Sequence, residues 1–242
     1  MPKRGPGNVS AIVCNHTGWL EIFALIASPV HPGFTPRIET KEVPVLNKLT
    51  EGLQSLYIER GGTLEQRNKI VATIKERQSA IEDRCVDYPP FAVFAEATTN
   101  NGSCLFPFKR GAFEGMRTVI PSYVEITSGQ VRPYYDTCEM IPLFVLLFSS
   151  FNTMTVTLHI MPEFTPNTRM LELHADKAEQ PWEIYAWCVR DAMSKKSGIP
   201  KQNNVVFKDK IAYCDFMNCY TDHMEVHGRM FRINGTYDAN TF

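Results

Sequence analysis

The chain has 242 residues, of which 44% are hydrophobic and 21% charged, a composition that one ordinary globular domain can hold. Its 25 lysines and arginines are matched by 26 acidic residues, which excludes recognition of nucleic acid through a bulk electrostatic field; any anion site has to be built locally. The longest apolar run, Ile141 to Phe148, is about half of the roughly 18 residues that span a bilayer.

In chain order, residues 1–8 form a basic N-terminal extension without the apolar stretch of a signal peptide. Val9 to Cys14 reads as a buried strand, and Trp19 to near Pro29 as an apolar helix. Pro29, Pro32 and Pro36 then predict an extended connection. Arg37 to Thr40 reads as a strand, Val45 to Leu53 as a short helix and Leu56 to Glu59 as a second short strand. Gly61-Gly62 ends it. Thr63 with Gln66 has the pattern of a capping box, opening a helix that runs to about Asp83 with Val71, Ile74 and Ile81 at helical spacing.

Phe91 to Phe94 and Val119 to Val124 read as further strands. Ile141 to Ser150 is an apolar helix suited to burial or to lying on a membrane surface, and Met154 to Ile160 alternates as a strand does. A helix from Trp182 to about Lys195 carries Trp182, Ala186, Val189 and Met193 on one face, with Gly198 and Pro200 as stop signals. This alternation predicts an α/β fold: a single domain over residues 9–200, with a mixed, mostly parallel central sheet flanked by helices. Residues 201–242 are polar and lack aliphatic periodicity, so an irregular tail is expected, packed on the domain or on a partner.

The seven cysteines form no CxxC pair, and their scatter through core-like segments predicts mostly reduced thiols in an intracellular compartment. Asn8, Asn15, Asn101 and Asn234 each open an N-x-Ser/Thr triplet, read here as chance. Cys214, Cys219, His223 and His227 are all zinc-ligating types, but their spacing does not make a compact finger, and no metal is expected. His159, on an alternating strand, reads as a half-buried structural residue.

The pair that points to chemistry is His16 and Glu21, in Asn15-His16-Thr17-Gly18-Trp19-Leu20-Glu21. A carboxylate inside an apolar helix is costly to bury without a partner, and the nearest group able to use it is the histidine just before the helix. The pair reads as a base and the acid that orients it. Three later segments accompany it: Leu56-Tyr57-Ile58-Glu59-Arg60, Phe94-Ala95-Glu96-Ala97-Thr98-Thr99, and Pro107-Phe108-Lys109-Arg110-Gly111.

In order and spacing these motifs resemble the glycerolipid acyltransferase family, from about Val9 to about Asp215. Ile160 to Pro166 and Gly198-Ile199-Pro200 are most similar to its lysophosphatidylcholine acyltransferase branch. The resemblance implies transfer of a fatty acyl group from acyl-CoA, as co-substrate and without a prosthetic group, to a lysophospholipid or glycerol-3-phosphate. It implies His16 as the base, Glu21 as its orienting partner and Arg60 as the grip on substrate phosphate. Glu96 is expected to bind glycerol hydroxyls or to hold Arg60, Thr98 to donate to phosphate, and Lys41, Lys109 and Arg110 to serve as local cations for the phosphates of CoA or the head group.

Relatives usually have aspartate where Glu21 stands, so the extra methylene requires the helix start to shift or the side chain to fold back. They have glycine at the place of Ala97, where a methyl group disfavours positive φ. They also carry a hydrophobic region before the first motif, so this chain is expected to be a fragment or to be held at the membrane by something else. The expected setting is a membrane of the endoplasmic reticulum or mitochondrion. The alternative reading from these departures is a non-catalytic subunit of this fold within a larger membrane complex.

Overall fold

The computed structural model describes residues 9–58, 63–83, 88–134, 140–150, 153–204, 207–226 and 229–232. Its centre is a four-stranded sheet of β1 (Ala11–Cys14), β2 (Phe91–Phe94), β3 (Val119–Ser128) and β4 (Met154–Ile160), in the order β2-β1-β3-β4. β1 runs parallel to both β2 and β3, whereas β4 is antiparallel to β3. The sheet is therefore mixed with a parallel centre, as the alternation of strands and helices predicted.

All four residues of β1 are buried, because a central parallel strand is covered on both faces and has no polar side to present. Its Ala11 and Val13 enter one layer with Ile74 and Ile81 of α3 (Leu64–Glu82) and Tyr185, Val189 and Met193 of α6 (Pro181–Ser197). Its Ile12 and Cys14 enter the opposite layer with Ile22 and Leu25 of α1 (Leu20–Ala27). The remaining helices are α2 (Pro44–Gly52), α4 (Met140–Ser149), α5 (Thr168–Leu173) and α7 (Phe207–Met217). Among the described residues no helix is long and apolar enough to cross a membrane.

Local signals set the helix ends. Thr63 and Gln66 form the capping box at the start of α3, and Gly198 ends α6 in the left-handed conformation at φ 75°. In the α6 layer, Tyr185 is fully buried with its hydroxyl 2.8 Å from the Arg117 carbonyl and 2.9 Å from that of Phe164. That satisfies the one polar atom of an otherwise apolar core residue.

Three expectations need correction. Arg37 to Thr40 is not a strand, and neither is the described part of the expected strand Leu56 to Glu59: Ile38–Glu42 forms a 3-10 helix, and the two segments share a single bridge, Arg37 with Ile58. After the Ile38 N–H reaches the Ile58 carbonyl, the N–H groups of Thr40 and Val43 turn back to the carbonyls of Arg37 and Thr40, and Pro44 starts α2, so no ladder continues. β3 runs four residues beyond Val124, because Glu125 to Ser128 alternate outward while pairing with β4. Residues 201–242 are not irregular throughout: they include α7 and a hairpin of β5 (His223–Val226) and β6 (Arg229–Arg232). Exposed Ile211 and Tyr213 spoil the apolar periodicity of α7, and a polar tie from Lys210 to Thr99 helps to dock it.

Candidate active site

The register pairing Cys14 with Phe94 brings the ends of β1 and β2 side by side, so the loops starting at Asn15 and Ala95 leave the same edge of the sheet. The carboxyl ends of parallel strands are where α/β folds gather ligands. Asn15 extends the sheet with its side chain: Oδ1 accepts the Val124 N–H at 2.9 Å and Nδ2 donates to the Val124 carbonyl at 3.3 Å. This buried role is incompatible with a glycan on Asn15. His16 is then fixed at both backbone ends, its N–H donating to Glu96 Oε1 at 3.1 Å and its carbonyl accepting the Asn100 N–H at 2.9 Å. The imidazole stacks on Phe94, with ring centroids 4.2 Å apart and planes within 13°.

Glu21 Oε1 lies 2.6 Å from His16 Nδ1. The same oxygen accepts the N–H groups of Thr17 at 2.9 Å and Gly18 at 2.8 Å, while Oε2 takes the Thr17 hydroxyl at 3.3 Å. The extra methylene is accommodated by the side chain folding back over the start of α1, where the helix dipole also favours negative charge. Burial of Glu21 raises its pKa, but the hydrogen bond and charge of His16 and the neighbouring amides outweigh this and hold the carboxyl below its ordinary range. Glu21 has 0% side-chain exposure and His16 21%. The acid is thus sealed while the ring reaches solvent. With Nδ1–H donated to Glu21, Nε2 carries the free lone pair, and no described residue hydrogen-bonds to it.

Glu96 departs from one of its two expected roles, the binding of glycerol hydroxyls; the other, holding Arg60, falls outside the described residues. Glu96 is 1% exposed, and besides the His16 N–H it accepts the Asn100 side-chain amide at 2.6 Å and the Phe106 N–H at 2.9 Å. With almost no accessible surface and three donors already placed, it positions His16 rather than binding glycerol hydroxyls. Burial pushes its carboxyl up to about 7, further helped by the charge of Glu21 and opposed by the Phe106 and His16 amides and by Arg190. Ala97 next to it adopts φ 58°, the left-handed turn for which glycine is suited. Thr98 follows on this loop, half-buried; among the described residues its hydroxyl makes only a long contact to the Thr99 carbonyl at 3.5 Å, and it stays a candidate donor.

The cations fare differently. Lys41 is exposed, its Nζ 4.5 Å from the centre of the Tyr57 ring. Lys109 is exposed, its backbone N–H bound to the Ala95 carbonyl at 2.7 Å. Arg110 is already engaged, against expectation: Nε and Nη2 meet the Glu114 carboxylate at 3.0 and 3.1 Å, and Nη1 meets Asn68 at 3.1 Å. One helical turn from Glu114 is the ordinary spacing of a surface ion pair, and it occupies the fork that a phosphate would need. Arg60 lies outside the described residues.

Two cations escaped the sequence reading. Arg190 of α6 is buried, hydrogen-bonded to Asn203 and close enough to act electrostatically on Glu96. Lys210 of α7 binds the Thr99 carbonyl and, at 2.8 Å, the Thr99 hydroxyl. Neither had a sequence signal, since each lies far along the chain from the loop it supports. Phe94 opens the second motif and Asn100 lies one residue past its end, yet only the fold reveals that they clasp His16.

Among the described residues no three metal-ligating side chains of His, Cys, Asp or Glu type come together; His223 pairs with Asp222 at 2.6 Å, and His227 lies outside the described residues. His159 stacks on Tyr123 at 4.5 Å, a structural role. Burial drives the Cys14 thiol well above its ordinary pKa, leaving it unreactive. A cavity of about 230 Å³ at the seam of α5 and α6, lined by Met170, His174, Trp187 and Asp191 among others, shares no residue with the dyad.

A family model described as Acyltransferase matches residues 5–143. Lysophosphatidylcholine acyltransferase of Drosophila melanogaster is 26% identical over 207 residues, which is 83% of this chain and 35% of that protein. Lysophosphatidylcholine acyltransferase 2 of Homo sapiens is 27% identical over 191 residues, 78% of this chain and 32% of that protein. The 1-acyl-sn-glycerol-3-phosphate acyltransferase of Neisseria gonorrhoeae is 30% identical over 128 residues, 52% of this chain and 44% of that protein. The chain thus spans about a third of the length of the fly and human relatives. Among solved structures, the 1-acyl-sn-glycerophosphate acyltransferase PlsC of Thermotoga maritima superposes with a TM-score of 0.48 at 17% identity, covering 84% of this chain and 72% of that one. With more than half of its length matched by the family model, the chain belongs to the acyltransferase family.

Proposed function

We propose that the chain is an O-acyltransferase that moves a fatty acyl group from acyl-CoA to a hydroxyl of a lysophospholipid or glycerol-3-phosphate. The observation that carries this reading is the 2.6 Å contact between His16 Nδ1 and the sealed Glu21 carboxylate, beside an Nε2 left open. Glu21 fixes the tautomer and stabilises the imidazolium that forms, as the acid of a serine protease triad does. Nε2 takes the acceptor hydroxyl's proton as its oxygen attacks the thioester carbonyl. The C–O bond of the new ester forms, the C–S bond breaks, and the imidazolium returns the proton to sulfur so that CoA leaves as thiol. Because the thioester is already activated, the scheme calls for no acyl-enzyme.

In this scheme Glu96 holds the base in place from behind, and Arg60, Thr98, Lys41 and Lys109 are the groups proposed to meet the phosphates of CoA and the acceptor. Arg110 is left to its ion pair with Glu114. The lysophospholipid acceptor follows the relatives' names, lysophosphatidylcholine and 1-acyl-sn-glycerol-3-phosphate, and glycerol-3-phosphate is the unacylated form of the latter; the proposed setting is an intracellular membrane of the endoplasmic reticulum or mitochondrion. The test is an acyl-CoA assay against a panel of lysolipids and glycerol-3-phosphate with His16→Ala beside the wild type. Loss of product on the order of 10³-fold or more in the variant is expected. Equal product from both proteins would overturn the enzyme and leave a non-catalytic member of the fold.

A further inference from the structure

We propose that the outer face of α4, together with Phe23 of α1, is the surface by which this protein seats itself on a lipid bilayer, with the mouth of the His16 site turned toward the membrane. This rests on the acyltransferase reading for its purpose but not for its evidence. The α4 sequence, Met-Ile-Pro-Leu-Phe-Val-Leu-Leu-Phe-Ser, holds no charged residue. Leu143 and Leu147, four apart, point into the protein and are buried. Ile141, Val145 and Phe148, on the opposite face, are exposed, with Ile141 and Phe148 each 78% accessible.

A helix apolar on all sides belongs in a core or a membrane, and this one is covered on a single side. Its ten residues reach about 15 Å, half the hydrocarbon thickness, so it suits lying in the interface rather than crossing.

Two observations favour lipid over a protein partner. Among the described outward side chains of α4 only Ser149, at its last position, has a hydrogen-bonding group, and that hydroxyl turns back to the Leu146 carbonyl at 3.4 Å, whereas protein interfaces carry about one hydrogen bond per 100–200 Å². The patch also continues into the site. Phe144 packs on Trp19 with centroids 4.9 Å apart, Trp19 meets exposed Phe23 edge-on at 5.6 Å, and Trp19 follows His16 by three residues. A second protein seated there would cover the approach to His16, while a bilayer delivers an acyl chain to it.

The test is sedimentation of the full chain with neutral phosphatidylcholine vesicles, at low and high salt. The variants are the triple change Ile141→Glu, Val145→Glu, Phe148→Glu and, as control, Leu173→Glu. Leu173 is exposed on α5, which packs with α6 in the layer opposite α1. Binding that survives salt, falls about tenfold or more in the triple variant and is unchanged in the control is expected. Circular dichroism checks that the triple variant folds. Independently of it, Phe148→Trp is expected to add emission that is quenched by bromine-labelled lipid.

Absence of vesicle binding by the wild type, binding abolished by salt, or binding undiminished in a folded triple variant would overturn the proposal, as would a dimer that the triple change dissociates. Activity on short-chain, water-soluble substrates separates the two readings. The triple variant should retain it, and a wild type that binds vesicles yet transfers no acyl group would sink the enzyme reading alone.

Discussion

Glu96 Oε1 accepts the backbone N–H of His16 at 3.1 Å, so the carboxylate of the β2 loop and the base of the β1 loop form one hydrogen-bonded unit. The three donors that reach Glu96 come from His16, Asn100 and Phe106, which ties together segments that the sheet only brings near one another. Removing this acid would therefore act on the base through the backbone.

The buried position of Glu96 has a pH signature. Its pKa rises from an ordinary 4.5 to about 7 in the fold, so between these values the folded protein keeps a proton that the unfolded chain has released. The contribution of this group to stability therefore falls as pH rises through that window. Glu96→Gln cannot titrate, so the stability of wild type minus that of the variant should decline across the window, by on the order of 3 kcal/mol at most. Urea unfolding at a series of pH values measures it, and a pH-independent difference would refute this account.

Glu21 and His16 should separate in stability although both serve one chemical step. Glu21→Ala leaves the buried N–H groups of Thr17 and Gly18 without their acceptor, each costing about 1–3 kcal/mol. His16→Ala removes a partly exposed ring and should cost about 1 kcal/mol or less beyond its stacking on Phe94. Thermal unfolding should show a large drop for the first variant and a small one for the second. Because the Glu21 pKa is lowered in the fold, its stabilisation is present above 4.5 and lost as pH falls through the folded value. Equal melting points for the two variants would contradict the view that Glu21 also holds the loop.

Ala97 stores strain. At φ 58° an alanine pays about 1–2 kcal/mol relative to its preferred regions, while glycine there loses more freedom on folding, about 0.4–1 kcal/mol. Ala97→Gly should therefore raise stability by roughly 0.5–1 kcal/mol. A destabilised variant would mean that the methyl group packs against something worth more than the strain.

Much of this arrangement was legible because local chemistry specified it. The capping pair Thr63 and Gln66, the stop at Gly198, and the apolar faces of α1, α3 and α6 depend on neighbours a few residues away. The dyad was legible for the same reason, with its two members five positions apart. What sequence could not give were ties between distant segments: Glu96 turned inward because the donors of Asn100 and Phe106 close over it. Arg110 was misread because Glu114, one helical turn on, competes for its guanidinium. α7 was missed because exposed Ile211 and Tyr213 mask its period.

Lys210 gives α7 a part in the site that can be measured. Its ammonium binds the Thr99 carbonyl and hydroxyl, one residue from Thr98 and from Asn100, whose N–H holds the His16 carbonyl. Lys210→Met keeps the aliphatic stem and removes the charged donor, so a loss of about 1–2 kcal/mol is expected from an interaction worth somewhat more than a neutral hydrogen bond. The loop carrying Thr98 and Asn100 should loosen with it, raising KM for acceptor more than it lowers kcat, because the base itself stays clamped by Glu96 and Glu21. Steady-state kinetics on the variant decides. A fall in kcat with KM unchanged would place Lys210 in support of His16 rather than of the substrate loop, and no kinetic change would confine α7 to stability.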